Sequence, residues 1–145
     1  AALQSGSVQA VTLWDPFLAA AESQPGLKNL RDGSGLSNNR TFYLSTARYA
    51  DEHRALLKTF FAELSKVSQW ANAKPAEVAA LLAPQLGIST QVLEVASERR
   101  NYNAVAITPQ IVAEQQKLAD TFQGLGLIPR KLQVAEAVYP ASVLP

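Results

Sequence analysis

The sequence predicts an α/β fold that is mostly helical, and three observations carry that expectation. Val8 to Leu13 is an apolar run with β-branched residues at strand length, and it ends in Trp14-Asp15-Pro16 before the alanine-rich stretch Phe17 to Ser23. Phe42 to Thr46, FYLST, has the composition of a second strand. From Ala47 onward apolar residues recur at three- and four-residue steps, the period of an amphipathic helix.

Taken in order, Ala1 to Gln4 reads as a last helical turn stopped by Ser5-Gly6. The strand Val8–Leu13 follows. Asp15 is then placed to cap a helix with Pro16 at its first position, where the missing N–H costs nothing. Gln24-Pro25-Gly26 ends that helix, and Leu27 to Arg31 fits a short strand. Asp32 to Arg40, DGSGLSNNR, has the composition of a loop, and it serves equally as a surface loop or as a hinge between strands. Leu56, Leu57, Phe60, Phe61, Leu64, Val67 and Trp70 mark one face of a long helix that Lys74-Pro75 breaks. Pro75 starts a helix through Leu82, Gly87 closes that region, and Ser89 caps a helix to about Arg100. Asn101 to Ile107 is a loop or a short extended piece. Thr108-Pro109 opens a further helix with Ile111, Val112, Gln115, Leu118, Ala119 and Phe122 on one face, stopped by Gly124 and Gly126. The tail carries a short helix near Val134 to Val138 between extended arms that reach Pro145.

Bulk composition narrows the function classes. At 145 residues, 48% hydrophobic and 17% charged, the chain is long enough for one globular domain with a core. A net charge of +1 with no basic run gives no electrostatic case for nucleic acid or an anionic membrane surface. The absence of cysteine removes disulfides, thiolate metal sites and a cysteine nucleophile. No apolar run approaches the ~20 residues of a membrane span, so stable membrane insertion is not expected. No signal peptide is visible, but the chain has no methionine and opens AALQSGS, so it reads as a fragment or processed chain. So few strands cannot make a sheet covered on both faces, which points to a missing partner half.

Catalytic chemistry is sparse. His53, the single histidine, lies in Asp51-Glu52-His53-Arg54 with no second ligand at metal spacing and reads as a solvated polar position. No G-x-S-x-G is present, and Gly33-Ser34-Gly35 is neither a P-loop nor a dinucleotide fingerprint. Glu94, Glu98, Arg99 and Arg100 read as helix-face charges. The expectation is a non-enzyme with no catalytic residues, no metal and no cofactor. Trp70 fits the core stripe of the long helix. Trp14 falls on no periodic face: beside Asp15 at a strand end, it either walls a small-ligand cleft or plugs the end of a sheet.

Four stretches then carry a resemblance. SGSVQAVTLWDPFLAAAE, KNLRDGSGLSNNRTFYLSTARYADEH, WANAKPAEVAALLAPQLGI and ITPQIVAEQQKLADTFQGLGLIPRKLQVAEAVYP together resemble the aliphatic sulfonate-binding proteins of bacterial ABC importers, in order and over essentially the whole chain. The resemblance implies a two-lobed periplasmic-binding fold of type II, of which this chain is roughly the C-terminal half. Residues 1–41 would be the end of the second lobe and the return hinge, and residues 42–145 the C-terminal part of the first lobe. It further implies an extracytoplasmic protein, periplasmic or lipid-anchored. Such a protein binds a small organic anion, an alkanesulfonate above all, and delivers it to an importer permease. The partners would include the N-terminal half of the same protein, with no nucleic acid. A sulfonate enters as an anion and needs hydrogen-bond donors rather than a base, and tighter binding to the closed form would drive closure. By position, Trp14 would pack the ligand's organic part and Asp15 would cap the turn or contact an amine-bearing ligand, with Asn39 and Tyr43 as further ligand-binding candidates. Gln9 and Val11 stand where the family commonly has aspartate and tryptophan. Relatives that bind taurine, nitrate or a thiamine precursor share this plan. A thiamine-precursor-type enzyme on the same fold is the alternative of a different class.

Overall fold

A computed structural model describes residues 2–139, and helices dominate it: α1 (Phe17–Glu22), α2 (Ala47–Glu52), α3 (Arg54–Ala73), α4 (Pro75–Leu86), α5 (Thr90–Glu98) and α6 (Pro109–Gly124), then a 3₁₀ turn at Val134–Ala137. The polar residues expected at helix starts occupy them. Ser89 Oγ accepts a hydrogen bond from the Val92 amide at 3.4 Å, and Thr108 Oγ1 accepts one from the Ile111 amide at 3.3 Å. Pro75 and Pro109 sit in the first turns of α4 and α6, where no intrahelical N–H is required. The long helix breaks at Lys74 as expected, whereas α4 runs four residues beyond Leu82, straight through Pro84. The proline removes one ladder bond there without ending the helix.

No strand is present among the described residues, which corrects the expectation at Val8–Leu13, Leu27–Arg31 and Phe42–Thr46. A strand is defined by its neighbour, because its backbone groups must pair with a second extended segment. These three segments run without helical or ladder pairing, so the β-like composition is real but has nothing here to pair with. Residues 2–6 form turns rather than the end of a helix. The extended arm expected around Pro140 to Pro145 lies outside the described residues.

The chain divides into two compact units, Ala1–Phe42 with Ser68–Asn103, and Tyr43–Val67 with Ala104–Pro145. In the first, α5 packs on both α4 and α1. Its core is built of small and branched residues: Ala19 of α1, Ala71 of α3, Val78 and Ala79 of α4, and Leu93 and Ala96 of α5 are all buried. Alanines at a helix contact let the two backbones come close, and Ala79 is wholly buried. The Asn72 side chain ties the following loop to α3, accepting from the Tyr102 amide at 2.9 Å and donating to Asn103 Oδ1 at 2.8 Å.

In the second unit Gln116 of α6 holds the 3₁₀ turn. Its Nε2 donates to the Leu132 carbonyl at 2.8 Å and its Oε1 accepts from the Val134 amide at 2.9 Å. Tyr139 donates to Asp51 Oδ1 at 2.8 Å, and Arg54 pairs with the same oxygen at 2.7 Å. Both bonds hold the Asp51 carboxyl below its usual range, with Arg54 the larger cause. Ile111 is the buried anchor of α6.

The apolar stripe of α3 follows the expected period, yet Leu56, Phe60 and Val67 are exposed, and Trp70 is 37% exposed with its indole N–H donating to Glu77 at 3.2 Å. Trp70 is therefore not a core residue in this chain. An apolar stripe buries itself only against another apolar surface, and among the described residues α3 has too little of one.

Gly87 ends α4 at φ +65°, and a Cβ added there would meet nothing within 4 Å. Gly87→Ala therefore isolates the backbone cost of left-handed geometry. It is expected to lower unfolding free energy by about 1 kcal/mol in urea titrations, with no packing contribution.

Candidate functional site

The turn before α1 is where the sequence concentrates chemistry. Trp14 lies on it, 65% exposed, with its ring edge against Phe17 at 6.4 Å between centroids and 82° between planes. The ring is open within the described chain, where no sheet is present for it to plug.

Asp15 does cap α1, with a shifted register. The helix starts at Phe17 with Pro16 as its N-cap, rather than with Pro16 as first helical residue. Asp15 Oδ1 accepts from the Ala19 amide at 3.1 Å. The same oxygen faces Arg99 Nη1 at 3.5 Å, while Arg99 Nη2 donates to Glu22 Oε2 at 2.5 Å. Glu22 also accepts from Asn29 at 3.2 Å. Arg99, above all, holds the Glu22 carboxyl below its usual range, and in return the Arg99 guanidinium is raised further. The corner thus carries two carboxylates around one guanidinium, with an aromatic pair beside them.

In the sequence alone Arg99 is one more helix-face charge. Its partners lie 77 and 84 positions away, and no local pattern announces a contact at such separations. Glu22 and Phe17 were likewise legible only as helix residues. The structure brings Trp14, Asp15, Phe17, Glu22 and Arg99 together.

The remaining candidates lie elsewhere. Asn39 is exposed in the loop, at φ +44°, a left-handed conformation that asparagine tolerates better than most residues. Its amide donates to Ser37 Oγ at 3.3 Å. Tyr43 belongs to the second unit, where it is 57% exposed and packs edge-on against Phe60 and Phe61 at 6.1 and 6.0 Å. Phe60 and Phe61 came from the stripe of α3, and their role as a support for Tyr43 had no sequence signal. His53 ends α2 with its ring against Tyr49 at 4.4 Å. Among the described residues no three His, Cys, Asp or Glu side chains are grouped to hold a metal, and no helix is long and apolar enough to cross a membrane.

An apolar hollow of about 460 Å³ lies in the first unit, lined by Leu3, Val8, Val11, Leu13, Phe17 and Leu27 among others. Its lining offers little to an anionic head group.

Segments of strand-like composition without ladders, helices with exposed apolar residues and an open aromatic corner thus lie together in this chain. The fold is that of one half of a two-lobed periplasmic binding protein. The chain has a TM-score of 0.87 and 28% identity to the periplasmic aliphatic sulphonate binding protein SsuA from Escherichia coli, covering 96% of this chain and 46% of that one. Against the alkanesulfonate-binding protein SsuA from Xanthomonas axonopodis pv. citri bound to MOPS, the TM-score is 0.79 at 27% identity, over 95% of this chain and 48% of that one. Two curated relatives are named as aliphatic sulfonates-binding proteins. One, from Escherichia coli (strain K12), is 29% identical over 145 residues, covering 99% of this chain and 46% of that protein; the other, from Bacillus subtilis (strain 168), is 25% identical over 138 residues, covering 94% and 42%. No family model matches the chain. The chain is similar to the C-terminal half of the aliphatic sulfonate-binding proteins and spans about half the length of the relatives it matches.

Proposed function

We propose that this chain forms part of an extracytoplasmic solute-binding protein that captures aliphatic sulfonates or related small anions and delivers them to an ABC importer permease. The observation that carries the reading is the agreement in fold with a sulphonate binding protein along nearly the whole chain, at a TM-score of 0.87 and 28% identity. The function is binding without catalysis, in keeping with what the relatives are named for. The complementary half of the same protein supplies the strands that the extended segments lack, and the lobes divide near residues 41 and 42.

Within that reading Trp14 packs the organic part of the ligand, because an exposed indole offers a large apolar face at low entropic cost. Asp15 acts mainly on the turn. Its carboxylate caps α1 and faces Arg99, which offsets the repulsion a bare carboxylate would exert on an anion. Asn39 and Tyr43 each bring a hydrogen-bond donor suited to a sulfonate oxygen.

The test is thermal unfolding of the protein comprising this chain and its complementary half, with and without hexanesulfonate. At a hundredfold excess over Kd, linkage adds about 2.7 kcal/mol of stability, which raises Tm by about 4 °C in a protein roughly twice the length of this chain. Unchanged melting with hexanesulfonate, taurine and nitrate would overturn the assignment.

A further inference from the structure

We infer that Arg99 is the positioning residue of the binding corner, fixing the turn that presents Trp14 by clamping both ends of α1. The inference rests on the ligand role proposed for Trp14.

Helix α1 has six residues, too few to be stable by its own hydrogen bonds. Its first turn is secured by Asp15, whose Oδ1 accepts from the Ala19 amide, and its last residue is Glu22. Arg99 reaches both, with Nη1 on Asp15 at 3.5 Å and Nη2 on Glu22 at 2.5 Å. A planar guanidinium presents separate N–H groups in a rigid fork, so one side chain serves two carboxylates, which the point charge of a lysine does less well. Arg99 directly follows α5, where Leu93 and Ala96 are buried and which packs on α4. The clamp therefore fastens a short, marginal helix to the firmest part of the first unit. Trp14 is adjacent to Asp15 and touches Phe17, the first residue of α1, so any freedom at the turn passes directly to the indole. Arg99 contacts no ligand in this account; it acts through Asp15 and Glu22.

The experiment measures hexanesulfonate affinity by calorimetry in the protein comprising this chain and its complementary half, for the parent, Arg99→Ala, Arg99→Lys, Asp15→Asn and the double variant Asp15→Asn/Arg99→Ala. Arg99→Ala is expected to raise Kd about tenfold, the size of one interaction between neighbouring groups, with Arg99→Lys between it and the parent. The double variant is expected to bind no more weakly than Arg99→Ala alone, since both changes break the same link and Asp15→Asn also removes a charge that repels the anion. Fully additive losses, or a lower Tm with unchanged Kd, would overturn the proposal. A ligand-free arm uses a background in which Trp70 and any tryptophan of the complementary half are replaced by Phe, so that Trp14 is the one tryptophan left. There Arg99→Ala is expected to lower the fluorescence anisotropy of Trp14, with Glu22→Gln as a milder second variant should Arg99→Ala not fold. Unchanged anisotropy in the variant that folds would overturn the clamp. If the parent binds no sulfonate, the binding reading fails by itself and the anisotropy still decides whether Arg99 positions Trp14.

Discussion

Trp14→Ala is expected to weaken alkanesulfonate binding about thirtyfold, while leaving melting of the unliganded protein within a degree or two. An indole that covers the alkyl part of a ligand contributes about 2 kcal/mol through apolar area removed from water, and that corresponds to the thirtyfold loss. The small effect on folding follows from exposure: at 65% exposed, the ring has little burial to lose when truncated. Calorimetric titration with hexanesulfonate beside a melting curve separates the two quantities. An unchanged Kd would remove Trp14 from the binding surface. A large fall in Tm would instead make it a folding residue.

Leu93→Ala is expected to be the opposite kind of change, lowering the unfolding free energy by about 3 kcal/mol. Leu93 is 3% exposed on α5, the helix that packs on both α4 and α1, and so the cavity left by truncation has no route to solvent or easy collapse. Val95→Ala on the same helix, at 38% exposed, is the matched control and is expected to cost well under 1 kcal/mol. Urea titration of the pair checks the contrast, and equal midpoints would place the core elsewhere. Because Arg99 follows the same helix, Leu93→Ala is also expected to loosen the corner around Asp15.

How much of this was legible in the sequence depends on the range of the physics involved. Helix starts are local events: a hydroxyl reaches an amide three residues on. Ser89, Thr108 and the prolines at 75 and 109 were therefore readable and sit where expected. Strands are not local. Val8–Leu13 has the right residues, but pairing is decided by a neighbour, and the sequence alone does not say whether that neighbour lies within the chain. Burial along α3 is non-local in the same way: periodicity shows which face is apolar, not what covers it, and the described chain builds no core around Trp70. At the candidate site, Trp14 and Asp15 stood out because they break the periodic pattern. Arg99 did not, since its meaning comes from Asp15 and Glu22, far away along the chain. The resemblance supplied what local patterns could not, namely the kind of larger fold to which these pieces belong.

The unladdered segment at Val8–Leu13 has a consequence for handling the protein. Backbone donors and acceptors outside any ladder take water instead, so the amides after Val8, whose own N–H donates to the Ala2 carbonyl at 3.3 Å, will exchange hydrogen with solvent far faster than those of a paired strand, despite their strand-like composition. The same groups form a template on which any extended chain can add as a neighbouring strand, with Val8 and Val11, both exposed, lending apolar side chains to the contact. Held apart from a complementary half, the chain therefore carries a bimolecular term in its own stability: its apparent melting point becomes a function of how much of it is in the tube.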